Sequence, residues 1–194
     1  ITNYASLANV NFNGSGNAVL GYTTGSYVGY NFSPIWDVNC EGILRETDDN
    51  ATGDLNLNFT VGGGASTTFA ANNTPVKLQG NTNSNSLFRF REDGQNRIIY
   101  EGTKSRYFNV TASVSVEGNT LDDRFIFYIA KDDGTIAVID ETGSWTRISR
   151  TFNIVSVPLI GALELNPGDA IEVWVERFSG SGEIFTVALN LSIR

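Results

Sequence analysis

The stretch Leu163-Glu-Leu-Asn-Pro-Gly-Asp-Ala-Ile-Glu-Val-Trp-Val-Glu176 constrains this chain more than any other. Asn166-Pro167-Gly168-Asp169 is a tight turn, in which proline pre-sets one torsion and glycine accepts a positive φ. After the turn, Ile171, Val173 and Val175 point one way, and Glu172, Trp174 and Glu176 the other. One face of this strand is core, and the other meets water or a partner.

The same period of two recurs along the C-terminal two thirds. Leu55, Leu57 and Phe59 alternate with Asn56, Asn58 and Thr60 until Gly62-Gly-Gly64 ends the run. Short strands are expected at Thr67–Ala70, Val76–Leu78, Ser86–Phe90 and Asn96–Tyr100. Across Arg106–Glu117, Phe108, Val110, Ala112, Val114 and Val116 share one face. Both faces of Arg124–Lys131 are apolar, which predicts a central or interface strand. Asp132-Asp-Gly134 forms a hairpin turn into Thr135–Asp140. Arg147–Gly161 reads as one long strand or a broken one, and Pro158 favours an edge or a bulge. The last strand, Glu183–Ile193, carries Phe185, Val187, Leu189, Leu191 and Ile193 on one side. No helical period competes, so the fold class is all-β, an antiparallel sandwich or jelly roll.

Residues 1–53 differ. They are rich in Gly, Asn and Tyr and hold no alternating run long enough to bury a face. They are expected to form a neck or shaft-like segment or a small β subdomain, with Trp36 and Cys40 as packing residues and residues 54–194 as the head. The chain opens on Ile1 and so reads as a piece of something larger.

Composition removes several kinds of chemistry. Histidine is absent, which excludes Ser-His-Asp and Cys-His catalysis and His-rich metal sites. A single cysteine, Cys40, excludes an intrachain disulfide and a Cys-based zinc site. A net charge of −8 disfavours nucleic acid, whose binding rests on Lys and Arg at phosphates. No apolar run approaches the roughly 20 residues of a membrane span, and no targeting signal is visible.

Thr103–Val116, Arg124–Lys131 and Leu163–Val175, with the ending Leu189-Asn-Leu-Ser-Ile-Arg194, resemble the tumour-necrosis-factor-like jelly roll of complement-type globular heads. The nearest flavour is the C-terminal head of phage tail fibres and bacterial fibre or adhesin proteins. The resemblance covers residues 54–194 and implies a homotrimer. It places the chain outside the cell or on a virion surface, at a fibre tip.

If the end where Arg194 stops is the base, alternating strand directions put Gly118–Asp123, Thr142–Thr146 and Ser179–Gly182 at the apex. Asp132–Gly134 and Asn166–Asp169 then fall at the base. The candidate ligand-binding residues are therefore Trp145, a flat apolar face, with Ser144, Asn119, Asp122, Asp123 and Ser181. No catalytic residue, metal ligand or cofactor is expected. Glu172 and Glu176 share a strand face and read as a solvated or interface stripe rather than a glycosidase pair. Asp48/Asp49, Asp122/Asp123 and Asp132/Asp133 lack the spacing of a calcium loop. The expected function is a non-enzymatic head binding a cell-surface glycan or protein. The alternatives are a purely structural trimerising cap and, behind it, a carbohydrate-active enzyme or its binding module.

Overall fold

The computed structural model describes residues 17–19, 22–23, 51–57 and 65–194. The chain divides into two units, Ile1–Asn50 and Ala51–Arg194. In the first, strands β1 (Asn17–Val19) and β2 (Tyr22–Thr23) pair antiparallel. Trp36 and Cys40, the run's end at residues 58–64 and the acidic pair Asp48/Asp49 lie outside the described residues.

The second unit grows from the long alternations. In β8 (Arg106–Gly118) Phe108, Val110, Val114 and Val116 are at most 1% exposed, while Asn109, Thr111 and Ser113 stand in solvent. β8 lies between β12 (Ile154–Leu165) and β14 (Ile184–Ile193), both antiparallel to it. β3 (Gly53–Leu57) and then β4 (Ala65–Thr67) follow β14 along its free edge. This is the first sheet, in the order β12-β8-β14-β3. Pro158 sits in β12, an edge strand, where a missing N–H costs no ladder bond.

The second sheet is built on β9 (Arg124–Asp132) and β13 (Ala170–Ser179). β10 (Ile136–Val138) and β11 (Ser144–Arg147) follow one another along the outer edge of β9. β5 (Val76–Lys77) and β7 (Arg97–Tyr100) do the same on β13, and β6 (Phe90–Glu92) closes the edge beyond β7. Successive strands β8, β9, β12, β13 and β14 cross between the sheets, as in a jelly roll. The inner faces meet in one core that includes Leu55, Ile98, Phe127, Ile129, Ile171, Val173, Leu189 and Leu191. Burying each such side chain contributes roughly 1.5–3 kcal/mol. Phe90, Tyr100 and Phe108 pack as a triangle with ring centroids 5.0–5.2 Å apart.

Both edges of the second sheet are interrupted, and a side chain completes each ladder. Between β5 and β7, Val173 has no strand residue opposite it. The buried amide of Asn96 fills the gap: Nδ2 donates to Val173 O (2.8 Å) and Leu78 O (2.9 Å), and Oδ1 accepts from Val173 N (3.3 Å). Between β10 and β11, a 3-10 turn at Asp140–Thr142 interrupts the edge. There Thr142 Oγ1 accepts from Ile129 N (2.8 Å) and donates to Ile139 O (2.7 Å). Buried backbone groups need such partners.

Three expected strands are corrected by backbone torsion or partner. Ser86–Phe90 is not a strand: Arg89 has φ 57°, so only Phe88 bridges (to Thr52) before the ladder starts at Phe90. Thr67–Ala70 is displaced to Ala65–Thr67, where β14 supplies a partner. Arg147–Gly161 is broken at residues 148–153, where Phe152 has φ 58° and its N–H donates to Gly118 O.

Candidate functional site

The body is polar from end to end. At one end Gly53 pairs with Ile193, and Asn109 and Arg194 exchange backbone hydrogen bonds, so the unit's first strand starts where its last one stops. This base also holds the turn at Asp132–Gly134 and that at Asn166–Asp169, where Gly168 takes φ 96°.

Two carboxylates lock the base and the adjoining edge. Burial pushes Asp54 up, but hydrogen bonds from Asn85 N, Ser86 N, Ser84 Oγ and Asn56 Nδ2 outweigh it and hold Asp54 below its ordinary value. Burial likewise opposes, and Lys131 (2.8 Å) with Asn166 N overcomes it, at Asp169. A depressed carboxyl lends stability that is complete above the unfolded value near 3.8 and is lost as pH falls through the folded one. Acid unfolding followed by tryptophan fluorescence is therefore expected to flatten below about pH 4 in Asp54→Asn/Asp169→Asn. An unchanged slope would show that these two groups do not set the acid limb.

At the opposite end, the apex, three loops converge: residues 118–123, 148–153 and 179–183. Their clasp is Asp123, 3% exposed, whose carboxylate accepts from Gly182 N (2.6 Å) and Ser181 N (3.2 Å). Gly180, at φ 114°, passes so close that a Cβ there would collide with the Asp123 carboxylate. Asn119 Oδ1 accepts from Glu183 N (2.9 Å), and Asp122 pairs with Arg147. Asn119, Asp122 and Ser181 are exposed at this end. Asp123 is the correction: it is buried rather than exposed, and its Oδ2 is taken up in closing the loops. The exposed apolar residues Leu121 and Phe152, missed in the sequence, stand here at 54% and 63%.

The expected apical loop Thr142–Thr146 is also corrected. The edge break falls one step earlier, Thr142 completes the ladder there, and Ser144–Arg147 pair with Phe127–Arg124 as β11. The chain reverses at 148–153 instead. Trp145 thus stands on the outer face of the second sheet, near the apex, and Ser144 is half-buried opposite Phe127.

That outer face reads as a grid. Trp145, Ile126 and Glu176 lie side by side across β11, β9 and β13; toward the base come Tyr128, Trp174 and Lys77, then Val138, Ala130, Glu172 and Arg97. A bulge between Arg177 and Ser179 releases Phe178. Its ring packs edge-on with Trp145, centroids 4.8 Å apart at 65°. Tyr128 Oη donates to Glu176 Oε2 (3.4 Å). Burial first, then Glu176 and Asp140, raise the phenol above its ordinary value.

Of the expected solvated or interface stripe, Glu172 is not solvated. It is 2% exposed and held by Lys77 (2.9 Å), Arg97 (3.6 Å) and the Trp174 indole N–H (2.7 Å). Arg97 also reaches Asp132 (2.6 Å). Among the described residues, no group of three or more His, Cys, Asp or Glu is placed to hold a metal ion. No described helix is long and apolar enough to cross a membrane.

No family model and no curated protein matches the sequence. Among solved structures, the chain is similar to Eiger TNF from S. frugiperda, with 9% identity, a TM-score of 0.51, and 74% of this chain and 92% of that one covered. It is also similar to murine APRIL (11% identity, TM-score 0.47, 73% and 98% covered). A third similar structure is the globular domain of zebrafish complement 1qA protein (14%, 0.42, 74% and 94%). The two antiparallel sheets and their order form a TNF-like jelly-roll β-sandwich.

Proposed function

We propose that this chain is the non-catalytic, homotrimeric head of an extracellular or virion-surface fibre or adhesin, which recognises a cell-surface glycan or protein at its apex. The polarity of the body carries this reading. Its first and last strands meet at the base, and the loops gathered at the opposite end carry the exposed apolar groups. There, rigidly clasped loops present Leu121 and Phe152 within a polar rim of Asn119, Asp122 and Ser181.

Self-association is supported by the outer face of the first sheet. It presents Tyr107 (73% exposed), Ile160 (72%) and Ile154 (50%) among Thr111, Ser113, Ser156, Asn190 and Ser192. β3, β8, β12 and β14 hold a single cation, Arg106, which lies on the side of Phe108; Arg194, just past β14 and opposite Asn109, and the carboxylates Glu117 and Glu164 are the charged groups toward the ends of the face. A broad sheet face with exposed aliphatic and aromatic groups and no lysine suits a second copy better than water. Three copies on one axis raise avidity for a repeated ligand.

The test is binding of the labelled chain to arrays of cell-surface glycans and extracellular protein domains. Leu121→Ser/Phe152→Ser is expected to weaken any specific binding at least about tenfold, since a few side chains that become buried at the centre of an interface carry most of its binding energy. Full binding by this variant, at unchanged mass, would overturn the apical assignment.

A further inference from the structure

The flank beside the apex carries a second recognition surface. Trp145 (57% exposed) and Phe178 (40%) form an aromatic corner over Ile126, which is 5% exposed. Next to it, toward the base, Gly143 puts no side chain beside Tyr128, and the corner opens on the Tyr128 hydroxyl and the Glu176 carboxylate. Asp140 acts on the same hydroxyl through space.

The charges around this corner are unevenly matched. Arg147 is committed to Asp122, while Lys77 and Arg97 are committed to Glu172, and Arg97 to Asp132 as well. Arg124 lies beside Arg147 on the apical side. Glu176 and Asp140, by contrast, form no ion pair among the described residues. Two carboxylates without a cation thus adjoin an exposed indole.

We propose that this corner binds an arginine side chain presented by a partner protein. A guanidinium is planar and weakly hydrated, so it stacks on an indole while its fork donates to a carboxylate. A neutral sugar could stack on Trp145 and donate a hydroxyl to a carboxylate, but it would leave the negative charge of Glu176 and Asp140 without a cation. The surface lies on the outer face of the second sheet, beside the apical loops but with none of Leu121, Phe152, Asn119 or Ser181 in it, so its test is separate from that of the apical site.

The test is a nuclear magnetic resonance titration of the full chain with acetyl-Gly-Gly-Arg-Gly-Gly-amide and its uncharged citrulline counterpart. The arginine peptide is expected to shift the Trp145 indole N–H and the backbone amides of Glu176 and Phe127, saturably. Affinity is expected to fall about tenfold with citrulline, in Glu176→Gln and in Trp145→Ala, and to weaken with salt. Equal shifts by the two peptides would overturn the proposal. So would shifts centred on Asp133 at the base. Maltotriose moving these resonances where the arginine peptide does not would assign the corner to sugars instead.

Discussion

Replacing Asn96 by alanine is expected to lower stability by about 3–5 kcal/mol, seen as a large drop in the urea midpoint. The side chain is 1% exposed and stands in for a strand residue. Its loss leaves Val173 N without its acceptor and Leu78 O without its donor, at roughly 1–3 kcal/mol for each buried group. Val173 O keeps Leu78 N at 3.0 Å, which limits the damage there. Asn96 also has φ 54°, a region that costs alanine about 1–2 kcal/mol and that asparagine tolerates better. Asn96→Gly separates the two causes, because it relaxes the torsion and still deletes the amide. The glycine variant is expected to recover only about 1 kcal/mol of the alanine loss. An alanine variant within about 1 kcal/mol of the parent would mean that water or a backbone shift satisfies Val173 equally well.

Asn96 also shows where sequence reading stops. The alternations of β8, β9, β13 and β14 are local, so their faces can be read directly, and the turn at Asn166–Asp169 marks its own reversal. The broken edges cannot be read that way. Asn96 reaches across 77 residues to Val173, and no local period records that. Thr142 falls within an expected apical loop for the same reason: its hydroxyl continues the β9 ladder from outside any strand. Glu172 fits a solvated or interface stripe by alternation, but its cations arrive from Lys77 and Arg97, on other strands. Among the expected ligand residues, Asp123 misleads because its partners, Ser181 and Gly182, lie in a loop that only the fold brings near. The small-residue run Ser179-Gly-Ser-Gly182 is the available hint, since it leaves room for a carboxylate.

The second large effect concerns assembly. If the head is the trimer proposed above, Ile160→Glu is expected to convert it to monomers at micromolar concentration without unfolding the chain. Ile160 is 72% exposed on β12, so glutamate costs nothing in an isolated copy. Covered by a neighbour, each of three carboxylates would lose its water without gaining a cation, at several kcal/mol apiece. No lysine stands on the strands of this face, and its one arginine, Arg194 opposite Asn109, lies one row toward the base and two strands away from Ile160. Sedimentation should show the loss of mass while far-ultraviolet dichroism and the urea midpoint of the dissociated chain stay in place. An Ile160→Glu particle of unchanged mass would move the interface elsewhere; Tyr107→Glu, two rows away in the ladder, repeats the test at a second point.

The most direct test of the account is the solution mass of the chain itself, measured by light scattering over a range of concentrations. A self-associating head predicts a particle of three chains, each 21.1 kDa, that persists on dilution through the micromolar range. A particle of one chain at every concentration would contradict it, and the exposed face of the first sheet would then need another partner.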